Sequence, residues 1–124
     1  METKKYSEIF RVAENDCISA IECSLPDILG TYIIVKWLEI VCAKNINRQL
    51  DEKHITVGEK VSIDHTGIVK LGDTVKIIST IQERKKRKVI FTVEATNQGE
   101  VFAKAKHERV IIPTKLITRM IKQH

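Results

Sequence analysis

A chain of 124 residues with 43% hydrophobic and 30% charged side chains is long enough to bury a core and too apolar to stay disordered. No apolar run approaches the ~20 residues that cross a bilayer, the N-terminus METKKYSEIF lacks a secretory apolar region, and the three cysteines have no metal-like spacing and read as reduced thiols, so a cytoplasmic protein with no metal and no cofactor is expected. The net charge of +5 favours anionic partners without naming one.

In chain order, Tyr6 to Val12 and Ile18 to Cys23 are expected to be short extended segments, followed by a turn at Ser24-Leu25-Pro26-Asp27. Gly30 gives the backbone freedom just before Thr31, a residue type suited to capping a helix. From Thr31 to about Arg48 or Leu50 the spacing predicts the one long helix. Ile33, Ile34, Trp37, Leu38, Val41 and Cys42 recur at helical intervals, and Val35, Ile40 and Ala43 fill most of the remaining circumference. A helix apolar nearly all round is enclosed on more than one side, here by its own sheet and by another subunit. Lys36 can snorkel to water, but Glu39, flanked on the wheel by Tyr32, Val35 and Ile46, must find a partner. It is either half of a narrow polar stripe with Lys36 or a functional carboxylate at a subunit boundary.

After the polar segment Asp51-Glu52-Lys53-His54 the period becomes twofold. Alternation puts Val57, Glu59, Val61, Ile63 and His65 on one face of a strand and Gly58, Lys60, Ser62 and Asp64 on the other. Three more strands are expected at Thr74 to Glu83, Val89 to Thr96 and Val101 to Ile111, joined by a basic reversal at Arg84 to Lys88 and a turn at Asn97-Gln98-Gly99. Pro113 ends the last strand, and Leu116, Ile117, Met120 and Ile121 mark a short helix from Thr114 to Lys122. With no repeat or linker the chain reads as a single α+β domain, residues 1–124, in which an antiparallel meander must curl around the helix to bury it. The basic run is either a solvated hairpin end or a contact for a polyphosphate. A nucleic-acid partner is not expected, because no aromatics are interleaved with the charges.

Taken together, Leu25-Pro26-Asp27-Ile28-Leu29-Gly30-Thr31, Glu39 in Lys36-Trp37-Leu38-Glu39, Val57-Gly58, Asp64-His65 and His107-Glu108-Arg109 resemble the hotdog-fold acyl-CoA thioesterases of the fluoroacetyl-CoA thioesterase-like branch. The resemblance runs over about residues 10 to 112. It implies a curved antiparallel sheet around the central helix, a homodimer or a higher oligomer, and hydrolysis of an acyl-CoA thioester at the subunit boundary. Thr31, Glu39 and His65 match the family's three catalytic positions. Leu25, Gly30 and Tyr32 are expected to contact the substrate, with Arg84, Lys85 and Lys86 at the phosphates of coenzyme A.

The chain departs from the pattern in two places. It has Ile68, Val69 and Lys70 where relatives tend to carry a Thr-Pro pair, and Leu25 where they often carry an aromatic, so a fluoroacetyl substrate does not follow. On the chemistry alone, His65 is a base, Glu39 an orienter or second base, and Thr31 a nucleophile or a hydroxyl that positions water. A two-fold axis beside the helix would place Thr31 of one subunit near Glu39 and His65 of the other. His107 is read as a structural hydrogen-bonding residue. An acyl-CoA-binding module without turnover is the alternative that fold alone leaves open.

Overall fold

The computed structural model, described over residues 4–123, has five strands and two α-helices. They run β1 (Lys5–Arg11), α1 (Thr31–Asn47), β2 (His54–His65), β3 (Thr74–Lys85), β4 (Lys88–Asn97), β5 (Glu100–Pro113) and α2 (Thr114–Lys122). The strands form one antiparallel sheet in the order β1-β3-β4-β5-β2. The two strands that flank α1 in sequence therefore lie at opposite edges, and the helix touches all five strands as it crosses between them.

The inner face of α1, Ile33, Ile34, Trp37, Leu38, Val41, Cys42 and Ile46, packs on inward residues of the sheet such as Val75, Ile77, Val89 and Phe91. The Trp37 ring stacks on Phe10 with centroids 4.7 Å apart, which pins the helix to the edge strand β1. The opposite stripe, Tyr32, Val35, Glu39 and Ala43, is only partly covered. Ile46, expected beside Glu39 on that stripe, belongs to the core.

Two expectations need correction. Ile18 to Cys23 is not extended: Glu14–Asp16 and Ile18–Ala20 are single turns of 3-10 helix. The segment joins no strand of the sheet, and its backbone groups bond locally, Ala20 N–H to Cys17 O and Ile21 N–H to Ile18 O, both at 3.0 Å. The faces of β2 also differ. Its register against β5 shifts between Gly58 and Lys60, so Glu59 is an extra residue in a β-bulge. Alternation resets there. Thr56 and Gly58 pair with the inward Ile111 and Arg109, and Val61, Ile63 and His65 pair with His107, Ala105 and Ala103, while Val57 and Glu59 fall on the outer face.

Asn45 is the polar anchor of this core. Fully buried, it donates from Nδ2 to Ser79 Oγ at 2.9 Å and to Lys4 O at 3.0 Å, and its Oδ1 accepts from Arg48 Nη2 at 2.6 Å. It thus ties α1 to β3 and to the start of β1. Replacing Asn45 with Ala strands these buried partners, and we expect a loss of about 2 kcal/mol, or roughly 8 °C in Tm, in thermal unfolding. A loss below about 0.5 kcal/mol would mean that β1 does not depend on this anchor.

Candidate active site

Thr31 is the first residue of α1 and Gly30 its N-cap, so the threonine hydroxyl is not spent on capping. It lies 2.8 Å from Nδ1 of His65, the last residue of β2, in the same chain. Gly30 has an ordinary backbone conformation, with φ −81°, and is small for a different reason. A Cβ there would strike the Tyr32 ring, which folds back over it, and would press on Ile18. The first two helical N–H groups, those of Thr31 and Tyr32, take no backbone acceptor among the described residues. His65 stands edge-on to Phe102, with centroids 5.7 Å apart, and its buried Nε2 meets no hydrogen-bonding group among the described residues.

Glu39 lies two turns further along α1, facing the bulge of β2. Its partner is Arg109 of β5 rather than Lys36: Nη1 approaches Glu39 Oε1 at 3.6 Å, with the arginine side chain 8% and the glutamate 44% exposed. Arg109 is held from three further directions. Its Nε donates to Thr56 Oγ1 at 2.9 Å, its Nη2 to Thr56 O at 3.0 Å, and its Nη1 meets Nε2 of His107 at 3.1 Å. Burial pulls Arg109 below its ordinary range, and Glu39 opposes that shift. His107 is completely buried and contacts Lys60 O through Nδ1 at 2.9 Å. Burial also holds His107 below the usual histidine range, which keeps the imidazole neutral at pH 7. Gly58 has no side chain because none fits: a Cβ would fall on the Glu39 carboxylate and close on His107 and Arg109. A cleft of about 220 Å³ opens here, lined by Glu39, Gly58, Glu59, Lys60, Val61 and His107.

The structure thus joins Thr31 and His65 within one chain and leaves Glu39 apart from both. The expectation that Thr31 would meet His65 of another subunit is corrected: β2 runs back along α1 so that its last residue ends beside the start of the helix. Leu25 is exposed on the turn before α1. Arg84, Lys85 and Lys86 lie at the other end of the helix. Arg84 bonds Gln49 at 3.4 Å, Lys85 pairs with Glu83 at 3.5 Å, and Arg84, Lys86 and Arg87 line a cavity of about 300 Å³ with His54. Lys88 is neutralised by Glu59 and Glu108 on the outer face. Sequence reasoning gave Arg109 no role in the site. The signal was available, because Ala103, Ala105, His107, Arg109 and Ile111 alternate on one face and a cation in such a row must be paired.

A family model described as the fluoroacetyl-CoA-specific thioesterase FlK matches residues 12–115. The chain belongs to this thioesterase family. Its reaction is therefore hydrolysis of an acyl-CoA thioester. Among solved structures, the fluoroacetyl-CoA thioesterase FlK matches with TM-score 0.88 at 18% identity, covering 99% of this chain and 96% of that one. A thioesterase-superfamily protein from Thermus thermophilus gives 0.92 at 22%, covering 99% and 91%. A hot-dog-like protein from Thermanaerovibrio acidaminovorans gives 0.90 at 17%, covering 98% and 90%. The fold is the hotdog fold. A threonine variant of FlK has been solved with acetyl-CoA. No curated protein matches the chain.

The contact between Gly58 and the Glu39 carboxylate gives a test of the second cluster. Gly58→Ala is compatible with the backbone of a strand, so the fold should survive with Tm within about 3 °C. The displaced carboxylate should lower kcat/KM on acetyl-CoA at least about 10-fold. Wild-type turnover by this variant would remove Glu39 from the reaction.

Proposed function

We propose that the protein hydrolyses the thioester of a small or medium acyl-CoA at a site assembled from two subunits, with Thr31 and His65 from one chain and Glu39 from the other. The observation that carries this reading is the separation of two half-sites along one rigid helix. Eight residues of α1 place Thr31 and Glu39 ~12 Å apart, too far for the side chains to meet. The edge strand β2 offers a way to join them. It has no neighbour on its outer side among the described residues, and an unpaired edge is a template for another strand. Two copies of β2 paired antiparallel about a two-fold axis near Ser62 would set His65 opposite Glu59 of the partner subunit, beside the partner's Gly58 and Glu39. The half-covered stripe Tyr32, Val35 and Ala43 on α1 would be buried by the same contact.

The chemistry follows from these groups. The N–H groups of Thr31 and Tyr32, at the positive end of the helix dipole, receive the charge that develops on the thioester oxygen. Nδ1 of His65 takes the proton of the attacking oxygen, which is either Thr31 Oγ1 itself or a water held on it. Collapse of the tetrahedral intermediate breaks the C–S bond, and His65 returns the proton to the departing thiolate. Where Thr31 carries the acyl group, a water activated by the same histidine releases the acid. Glu39 of the partner subunit, steadied by its arginine, balances the imidazolium formed in each step.

Leu25, Gly30 and Tyr32 line the acyl end of this site. In the same pairing the His54 end of β2 runs past the partner's His65, ending five residues or ~17 Å beyond it. Arg84, Lys85 and Lys86 then reach the phosphates of coenzyme A bound at that partner's site. No helix among the described residues is long and apolar enough to cross a membrane, and we place the enzyme in the cytoplasm, where its cysteines stay reduced.

Thiol release from acetyl-, butyryl- and octanoyl-CoA tests this reading. We expect turnover by the wild type, a loss of at least about 100-fold in kcat for His65→Ala, and a KM about 10-fold higher at unchanged kcat when Arg84, Lys85 and Lys86 are all changed to Ser, an effect that shrinks with salt. Acyl-CoA that raises the melting temperature without being hydrolysed would leave a binding module instead.

A further inference from the structure

His107 and Arg109 take no part in the proton transfers above, yet they form the best-organised buried polar cluster beneath the proposed site. The direction of each hydrogen bond to His107 follows from its partner. The carbonyl of Lys60 only accepts, so Nδ1 of His107 at 2.9 Å carries a proton and donates it. A guanidinium only donates, so Nε2 of His107, 3.1 Å from Arg109 Nη1, is bare and accepts. The two neighbours together fix one neutral tautomer. The nitrogen that His107 holds is also the one that faces Glu39 at 3.6 Å, whereas Nε and Nη2 are both committed to Thr56.

We infer that His107 is a positioning residue: as a neutral imidazole braced on Lys60, it fixes Nη1 of Arg109 and through it the place of the Glu39 carboxylate. The significance for catalysis rests on the role proposed for Glu39, whereas the hydrogen-bond pattern does not. Protonation of His107 would turn Nε2 into a donor pointed at a guanidinium 3.1 Å away. Few groups offset that repulsion. From α1 the cluster is faced by Glu39, already shared with Arg109, and by Cys42, whose thiol burial pushes up to about 12 and keeps neutral. From β5 comes Glu108, engaged by Lys88 at 3.2 Å, and from β4 the apolar ring of Phe91. Burial, seconded by Arg109, resists the extra proton. Acidification that forces it in releases Arg109 and lets Glu39 swing away, so the enzyme loses activity through a second histidine that never touches substrate.

The test has a spectroscopic and a kinetic arm. Long-range proton–nitrogen spectra of the histidine side chains in the intact wild-type protein, assigned with His107→Gln, should show His107 neutral at about pH 7, with the proton on Nδ1. In kinetics, His107→Ala should lower kcat/KM for acetyl-CoA about 30-fold, while His107→Gln, which can still accept from Arg109 but cannot titrate, should return it to within about 3-fold of wild type. The acid limb of log kcat/KM should fall more steeply in the wild type than in His107→Gln, which lacks this titration. A proton on Nε2, a charged His107 at about pH 7, or a glutamine variant as impaired as the alanine variant at unchanged Tm would overturn the inference. Full activity in Glu39→Ala would instead sink the role given to Glu39, and with it the purpose of the brace, while the tautomer read by spectroscopy would stand.

Discussion

Thr31 and Glu39 ride on one α-helix at a fixed spacing of ~12 Å, and no side-chain motion within the chain closes that gap. The rest of the architecture follows from where this helix can lie. It is apolar on the face that meets the sheet and half apolar on the face that does not. The order β1-β3-β4-β5-β2 makes it cross from one edge strand to the other. Its first residue reaches His65 at 2.8 Å, and its middle reaches Arg109 at 3.6 Å. Each end of the interval receives its own partner from the sheet.

The Glu39 end shows how a buried cation is tolerated in so small a domain. An arginine with its side chain 8% exposed is costly unless its donors are satisfied. Here Thr56 takes two, His107 takes one, and Glu39 supplies the opposite charge. The bulge at Glu59 makes this possible. By resetting the alternation of β2 it turns Gly58 and Thr56 inward on one side and Val61 inward on the other. The carboxylate of Glu39 then fits where a side chain at position 58 would have been. Stability and chemistry meet at the same inserted residue.

Local periodicity carried most of the fold. Helical spacing marked α1 and α2, twofold spacing marked the meander, and the turn residues separated the strands, because each of these signals is a property of neighbours in sequence. What could not be read was set by pairing at a distance. A one-residue bulge leaves no mark on an alternating pattern, so Val57 and Glu59 were assigned to the wrong face. Ile18 to Cys23 alternates like a strand, but its backbone groups bond within its own turns. The partnership of Glu39 with Arg109 depends on the register of β5 against β2, two strands that are far apart in the chain. The family resemblance supplied Thr31 and His65 as candidates, and only the course of β2 along the helix showed that they meet within one chain.

The claim that the site is shared is tested most directly by complementation. Thr31→Ala and Glu39→Ala proteins, each nearly inactive alone, are mixed under conditions in which native mass spectrometry shows subunit exchange. A shared site gives each heterodimer one intact and one doubly broken centre, so an equimolar mixture at statistical exchange should recover about a quarter of wild-type activity. Demonstrated exchange with no return of activity would contradict the account, and would confine Thr31, His65 and Glu39 to work within a single chain.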